Sequence, residues 1–515
     1  MASRQPPGSS GPIFGRFLSQ LYENVSPRNY VSLTVTGGGI QAVQWAFTAP
    51  GASSVMMESR VPYSFAALHD ELDSEESVRN MKMKGQLCTK EKAIALAENS
   101  RKRAIQMLLK DNNDMNALRS VNIMGIACTA SLATTRSKKG KHQCFVAAVN
   151  STDVAIYNLV MASGLRTRIQ EDTLCSKVVM KALYEHSVPG GMFDPLPPEE
   201  QVEEDLTEDE SLSTEQYPLH APRGGGSKDV LDLILDKEVG QAIFYLKGTG
   251  TLGRKDTAEE SDGAAGLSSF EHFEDVRVPP ESVVYPGSFN PLHRGHVALI
   301  EAVFSKRGYR REPAMGDEAS GPLRSPSGEA HPPVVFEIAA VNADKPPLPR
   351  EEVLGRIRGL LSSPLLGEYG LDNVCVSVTS EPLFLQKAAL FPECEFIVGA
   401  DTMTRLLNPK YYGDRELLAE AEKKLPAERV HALREQSMVA ALSTINERGC
   451  RFVVGGRAAL NEDFVGCKDI LMSEECQYLP LEVRNMFEGI DEKEFRVDLS
   501  STELRMKQAW RDNLA

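Results

Sequence analysis

Tyr285-Pro-Gly-Ser-Phe-Asn-Pro-Leu-His-Arg-Gly-His296 follows the apolar pair Val283-Val284 and runs into the helix-like stretch Val297 to Val303. Apolar strand, turn residues and helix in that order predict a loop at the end of a β-strand. Gly287 and Gly295 allow close backbone approach, and the prolines fix the turns. His293 and His296 would then stand at a helix start, where N–H groups without intrahelical partners attract anions. The stretch reads as a phosphate-handling loop, with a pair of polar helix-capping histidines as the plain structural alternative.

Two later clusters have the same strand-into-helix form. In Phe396-Ile-Val-Gly-Ala-Asp-Thr402 a buried-type strand meets Gly399 and Asp401, with Arg405 and Asn408-Pro-Lys-Tyr-Tyr412 behind it. At the carboxyl end of a parallel strand Asp401 could accept hydrogen bonds from ribose hydroxyls, or it could simply cap a helix. In Val497-Asp-Leu-Ser-Ser-Thr-Glu-Leu-Arg505, Ser500 and Glu503 have capping-box spacing. Ser501, Thr502 and Arg505 would then present hydroxyls and a guanidinium to an anion.

Gly287-Ser288-Phe289-Asn290-Pro-x-His293-x-Gly295-His296, Gly399-x-Asp401 and Ser-Ser501-Thr502-x-x-Arg505, in that order, resemble the nucleotidylyltransferase superfamily across residues 281 to 515. The likeness is nearest to its nicotinamide or nicotinic acid mononucleotide adenylyltransferases. It implies attack by a mononucleotide phosphate on the α-phosphorus of ATP, releasing pyrophosphate and forming a dinucleotide. By matching position, His293 and His296 would contact the triphosphate, with His296 nearest the α-phosphate. Ser501, Thr502 and Arg505 would hold the β and γ phosphates, Asp401 the adenosine ribose, and Mg²⁺ would bridge phosphate oxygens without an all-protein cage. Lys345, in Lys345-Pro-Pro, and Arg356 resemble the family's acceptor side; a Pro-stiffened turn is an equal reading of the former. Family members often stack the pyridine ring on Trp. Here the tryptophans are Trp45 and Trp510, which leaves Tyr411, Tyr412 or Phe384 for that role and keeps open another phosphorylated acceptor, or a non-catalytic nucleotide sensor.

The first half reads as a separate α/β domain. Strand-like runs at Val31 to Val35, Val121 to Ala127 and Cys144 to Val149 alternate with helical stretches. Thr36-Gly-Gly38, Pro50-Gly-Ala-Ser-Ser54, Val61-Pro-Tyr-Ser64 and Met124-Gly-Ile-Ala127 occur in the order seen in the C-terminal domain of CinA, whose members deamidate nicotinamide mononucleotide. Where that family has Glu-Ser-Cys before Thr-Gly-Gly, this chain has Leu33, Thr34 and Val35. Where it has Tyr-Ser-Asn-x-x-Lys, this chain has Tyr63 to Leu68, without the amide or the lysine. The resemblance therefore implies the fold with the deamidase reaction lost, and Thr34 and Tyr63 are read as packing or turn residues.

The expected organisation is a flexible terminus over 1–22, the CinA-like domain over 23–195 with 228–248 attached, and an acidic linker over 196–227. A weakly structured connection over 249–280 and the doubly wound parallel sheet of the nucleotidylyltransferase domain over 281–515, with a surface insertion at 310–332, complete it. The length of 515 residues calls for more than one core. A formal net charge of −15 argues against an extended nucleic-acid contact surface. No apolar run is long enough for a bilayer, so an intracellular, cytoplasmic location is expected, with an organelle left open. Nine scattered cysteines without a Cys-x-x-Cys pair read as reduced thiols. Small-molecule partners are expected, and a homo-oligomer is left open.

Overall fold

The computed structural model describes residues 13–23, 27–72, 87–119, 121–135, 140–187, 193–219, 228–246, 267, 270–313, 321–341, 346–414, 417–418, 423–458 and 464–495. The chain forms two compact units, one of residues 1–111 and 120–228, the other of residues 112–119 and 229–515.

The first unit is built on strands β1 (Arg28–Thr36), β2 (Met56–Arg60), β3 (Val121–Ser131), β4 (His142–Val149), β5 (Asp153–Met161) and β6 (Ser211–Pro218). Their order is β2-β1-β3-β4-β5-β6. The β2-β1-β3 side is parallel and the remainder antiparallel, a mixed sheet. Helices α1 (Gly15–Tyr22) and α2 (Ile40–Thr48) come from its first half, with α3 (Phe65–Leu72), α4 (Lys90–Asn112) and α5 (Arg168–His186). Adjacent strand residues feed two different cores, because side chains alternate across a strand. Cys128 and Val146 pack with Ala42, Ala46 and Val179 of α2 and α5. Ala127 and Ala147 pack with Leu68, Ala93 and Ala97 of α3 and α4. Helices thus cover both faces of the sheet, which is why its central strands are apolar almost throughout. Gly125 in β3 is where α4 rides on the sheet: a Cβ there would lie 1.9 Å from the Ala97 carbonyl oxygen.

The acidic segment is not a linker along its whole length. Residues 211–218 pair with β5 as an edge strand, their side chains largely exposed. Before it, Glu200 is buried and accepts from the Phe14 N–H. Backbone pairing and this anchored carboxylate hold the segment in place, where its composition alone points to a solvated chain.

The second unit carries β7 (Gln241–Leu246), β8 (Phe270–Glu274), β9 (Val283–Pro286), the two-residue strands β10 (Arg310–Arg311) and β11 (Leu323–Arg324), β12 (Val334–Ala339), β13 (Val374–Thr379), β14 (Glu395–Gly399) and β15 (Arg451–Gly455). A two-residue pair, β16 (Arg457–Ala458) and β17 (Phe464–Val465), precedes β18 (Phe487–Ile490). The main sheet has eight strands in the order β18-β15-β14-β9-β12-β13-β7-β8. The six from β18 to β13 are parallel, and β7 and β8 add antiparallel at one edge, so this sheet is mixed as well.

The expected boundaries shift. Of the terminus expected to be flexible over 1–22, Gly15–Tyr22 form helix α1, and Phe14, Phe17, Leu18 and Leu21 are buried in the first unit's core. Residues 228–246 do not join the first domain: helix α6 (Val230–Leu235) and β7 belong to the second, Val230, Ile234 and Phe244 lying in its core. Part of the connection before residue 280 is likewise ordered, as β8, with Phe270 and Phe273 buried. Nor is the segment expected as a surface insertion at 310–332 wholly superficial: β10 and β11 pair, and Leu323 and His331 are each 1% exposed.

Candidate functional site

Strand β9 lies between β12 and β14, and the chain runs from β9 first to β12 and later to β14, so the strand order reverses at β9. Pairing of β9 with β14 ends at Val284↔Phe396, whereas β14 continues beside β15 to Gly399. The loops leaving β9 and β14 therefore start from the same end of neighbouring parallel strands.

The loop after β9 is held by its own aromatic ring. Phe289, with φ 42°, is buried, and its ring meets Tyr285, His296 and Phe336 edge-on at centroid distances of 5.4, 5.2 and 5.1 Å. Gly287 passes over this ring; a Cβ there would lie 2.6 Å from Cζ of Phe289. The Gly287 N–H also donates to the Glu337 carbonyl of β12 at 3.0 Å. Ser288 is exposed, and Asn290 joins Pro291 through a cis peptide.

His293 is the N-cap of helix α7 (Arg294–Lys306), and Gly295 is buried in its first turn. The His293 N–H donates to Nδ1 of His296 at 3.2 Å, and the two rings stack at 3.7 Å. Because Nδ1 of His296 accepts, a neutral His296 carries its proton on Nε2 and can donate from there. Burial, with the neighbouring His293 ring, pushes the pKa of His296 down to about 3. Burial lowers that of His293 too, and its Nδ1 is buried without a hydrogen-bond partner. Both imidazoles are thus neutral near pH 7, hydrogen-bonding groups at a helix N-terminus and not fixed cations.

From the other strand, Gly399 caps helix α10 (Ala400–Leu406), and Asp401 is exposed in its first turn. A Cβ at Gly399 would meet nothing within 4 Å, so no packing contact requires glycine there. Arg356 lies midway along helix α8 (Arg350–Leu361), where Glu352 one turn earlier pairs with it at 2.5 Å. That pair engages one terminal nitrogen, while Nε of Arg356 is buried without a hydrogen-bond partner. Lys345, Ser501, Thr502 and Arg505 lie outside the described residues.

Of the rings considered for stacking, Phe384 starts helix α9 (Phe384–Leu390) and packs edge-on against Phe396 and Phe452. Tyr412 donates its hydroxyl to the Leu406 carbonyl at 2.7 Å. Tyr411 is half-buried with Lys410 Nζ 4.6 Å from its centroid.

One neighbouring group escaped the sequence reading. Glu337, fully buried in β12 and in register with Pro286, accepts from Lys387 Nζ at 2.6 Å and from Thr379 Oγ1 at 2.5 Å. The available signal was a lone Glu in Val-Val-Phe-Glu-Ile, since a buried carboxylate needs a partner.

In the first unit the Thr36-Gly-Gly38 loop leads into α2, but Asp172 of α5 already sits at that helix start, accepting from Ile40 N–H at 3.3 Å and Gln41 N–H at 3.4 Å. Thr34 is buried, bonded to Ser100 Oγ at 2.7 Å. Tyr63 is 66% exposed, so packing does not describe it; its hydroxyl accepts from Arg168 at 3.3 Å.

Among the described residues no group of three or more His, Cys, Asp or Glu side chains is placed to hold a metal, and no helix is long and apolar enough to cross a membrane. The described cysteines are unpaired.

No protein-family model matches the sequence, and no curated protein matches it. Among solved structures, a competence-damaged protein (CinA) superfamily protein from Escherichia coli is 13% identical, with TM-score 0.24, over 33% of this chain and 86% of that one. The competence/damage inducible protein CihA from Agrobacterium tumefaciens is 14% identical, with TM-score 0.26, over 35% and 97%. A CinA superfamily protein from Enterobacter cloacae is 12% identical, with TM-score 0.25, over 36% and 96%. Likeness at this level fixes neither the chemistry nor the substrates of the chain.

Proposed function

We propose that the second unit is a doubly wound nucleotidylyltransferase that transfers AMP from MgATP to the phosphate of a mononucleotide, releasing pyrophosphate. The observation that supports this best is the stacked pair His293 and His296 at the start of α7, where the strand order reverses beside β14. Open α/β sheets bind ligands at such reversals, outside the carboxyl ends of the strands. A helix N-terminus there favours phosphate. Catalysis of this transfer is mainly positioning and charge stabilisation, with no covalent enzyme intermediate required.

In this reading Nε2–H of His296 donates to a phosphate oxygen, its direction held by the bond from His293 N–H to Nδ1. Gly287 and Gly295 bring backbone close to the triphosphate, with Ser288 and Asn290 at the loop's polar edge. Asp401 faces the ribose across the reversal, and the open space at Gly399 leaves room for the nucleotide. Ser501, Thr502 and Arg505 supply the anion clamp that the neutral imidazoles do not. Mg²⁺ would arrive on the triphosphate, held by phosphate oxygens and not by an all-protein cage. Nicotinamide or nicotinic acid mononucleotide is the acceptor proposed, with Tyr411 the ring left to stack on it. The first unit carries no deamidase activity in this account, since Asp172 occupies the helix start its glycine loop would offer an anion.

The test is incubation of the chain with MgATP and each mononucleotide, following pyrophosphate and dinucleotide. Pyrophosphate with a different phosphorylated acceptor would replace the acceptor; nucleotide binding without turnover would replace the enzyme by a sensor.

A further inference from the structure

A second constellation lies in the first unit. His142 opens β4 opposite Met161, the last residue of β5, and Ser163 follows two positions later. Ser163 Oγ is 3.4 Å from Nε2 of His142, whose Nδ1 is 2.6 Å from Oε1 of Glu171 in α5. The other oxygen of Glu171 accepts from the Ala133 N–H at 2.6 Å. With Nδ1–H donated to the carboxylate, Nε2 is left to accept from the serine hydroxyl. This is the order of roles in a nucleophile–base–carboxylate triad, which is recognised by geometry and not by sequence position. We propose that Ser163, His142 and Glu171 form a hydrolytic site for carboxylic esters.

Exposure divides as the roles require. Glu171 is 0% exposed and His142 6%, whereas Ser163 is exposed. The turn bearing the serine is clamped on both sides by Glu210, which accepts from the Ala162 N–H at 3.0 Å and pairs with Arg166. Burial works against the Glu210 charge, but the Arg166 guanidinium and the N–H groups of Ala162 and Thr207 outweigh it and hold its pKa at about 2. The clamp thus persists at neutral pH. Gly164, next after the serine, has φ 81°, and a Cβ there would meet nothing within 4 Å, so the turn is open to a substrate. A nucleophile–base distance slightly beyond an ordinary hydrogen bond is common before substrate arrives.

In the first step Ser163 Oγ bonds to the ester carbonyl carbon and its proton passes to Nε2 of His142. The tetrahedral adduct collapses, the carbon–oxygen bond to the alcohol breaks, and His142 returns the proton to the leaving oxygen. Water, deprotonated by His142, then releases the acyl group, so ester and water give acid and alcohol. A surface turn provides little enclosing binding energy for distorting an amide. Esters with a good leaving group are therefore the substrate class.

The full chain is treated with a biotinylated fluorophosphonate, in which the serine oxygen displaces fluoride at phosphorus, and the adduct is mapped by mass spectrometry. A parallel assay follows p-nitrophenyl acetate. The expected result is one adduct on Ser163, abolished in Ser163→Ala and formed at least about 100-fold more slowly in His142→Gln. Ester hydrolysis falls in the same variants, with circular dichroism unchanged. If His142→Gln does not fold, Glu171→Gln and Ser163→Ala take its place. No adduct on Ser163 of the folded chain, or equal labelling of wild type and every folded His142 or Glu171 variant, overturns the proposal.

Discussion

Nδ1 of His296 accepts the backbone N–H of His293, and the two imidazole rings stack 3.7 Å apart at the start of α7. One side chain is thereby fixed in direction and tautomer by the residue that caps its own helix. In the proposed transfer this bond leaves Nε2–H of His296 as the donor toward phosphate. Replacing His296 by Ala is expected to lower kcat by about 10²–10³-fold, as for loss of one preorganised donor. The measurement is steady-state pyrophosphate release, with the melting curve showing an intact fold.

The same burial makes the pair a source of acid lability. The pKa of His296 falls from its ordinary 6.5 to about 3 on folding, so between those values the unfolded chain binds the extra proton. Stability from this group is present above pH 6.5 and declines as the pH falls through that window. In His296→Gln the loss between pH 7 and pH 5 should be smaller than in wild type by about 2 kcal/mol. Urea unfolding of both proteins at the two pH values reads this directly.

Two glycines should separate stability from binding. Gly287→Ala drives a Cβ into the Phe289 ring and is expected to destabilise the unit by about 1–3 kcal/mol. Gly399→Ala meets nothing within 4 Å and should change stability by less than about 0.5 kcal/mol. If the nucleotide passes over Gly399, that second variant still weakens ATP binding, measured by calorimetry.

Lys387 and Glu337 form a buried pair beside the loop, with side chains 7% and 0% exposed. Lys387→Met leaves the carboxylate uncompensated and should cost about 3–5 kcal/mol. Lys387→Met with Glu337→Gln should recover part of that loss, since Thr379 can still bond the amide. Denaturant midpoints of the single and double variants test the pairing.

The parts legible in the sequence are those whose cause is local. Gly287 against Phe289, and His293 capping the helix that bears His296, act within ten residues, so the loop after β9 reads correctly as strand, turn and helix start. What the sequence hid depends on distant pairing. Ser211 to Pro218 is polar on both faces, and only its ladder with β5 makes it a strand. Phe244 joins the second sheet because it pairs beside Val376, a partner no local pattern discloses. His142, Ser163 and Glu171 meet only because β4, the end of β5 and α5 converge at one end of a sheet. Arg356 reads as a cation from its charge alone, and its pairing with Glu352 becomes visible only once both lie on one face of α8.

One assay tests the chemistry at the α7 start. Wild-type chain and His296→Ala are each given MgATP with nicotinamide mononucleotide or nicotinic acid mononucleotide, and dinucleotide is quantified against pyrophosphate. Equal amounts of both products are expected from the wild type, and at least about a hundredfold less from the variant. No dinucleotide from either acceptor, or undiminished turnover by His296→Ala, would contradict the proposed transfer.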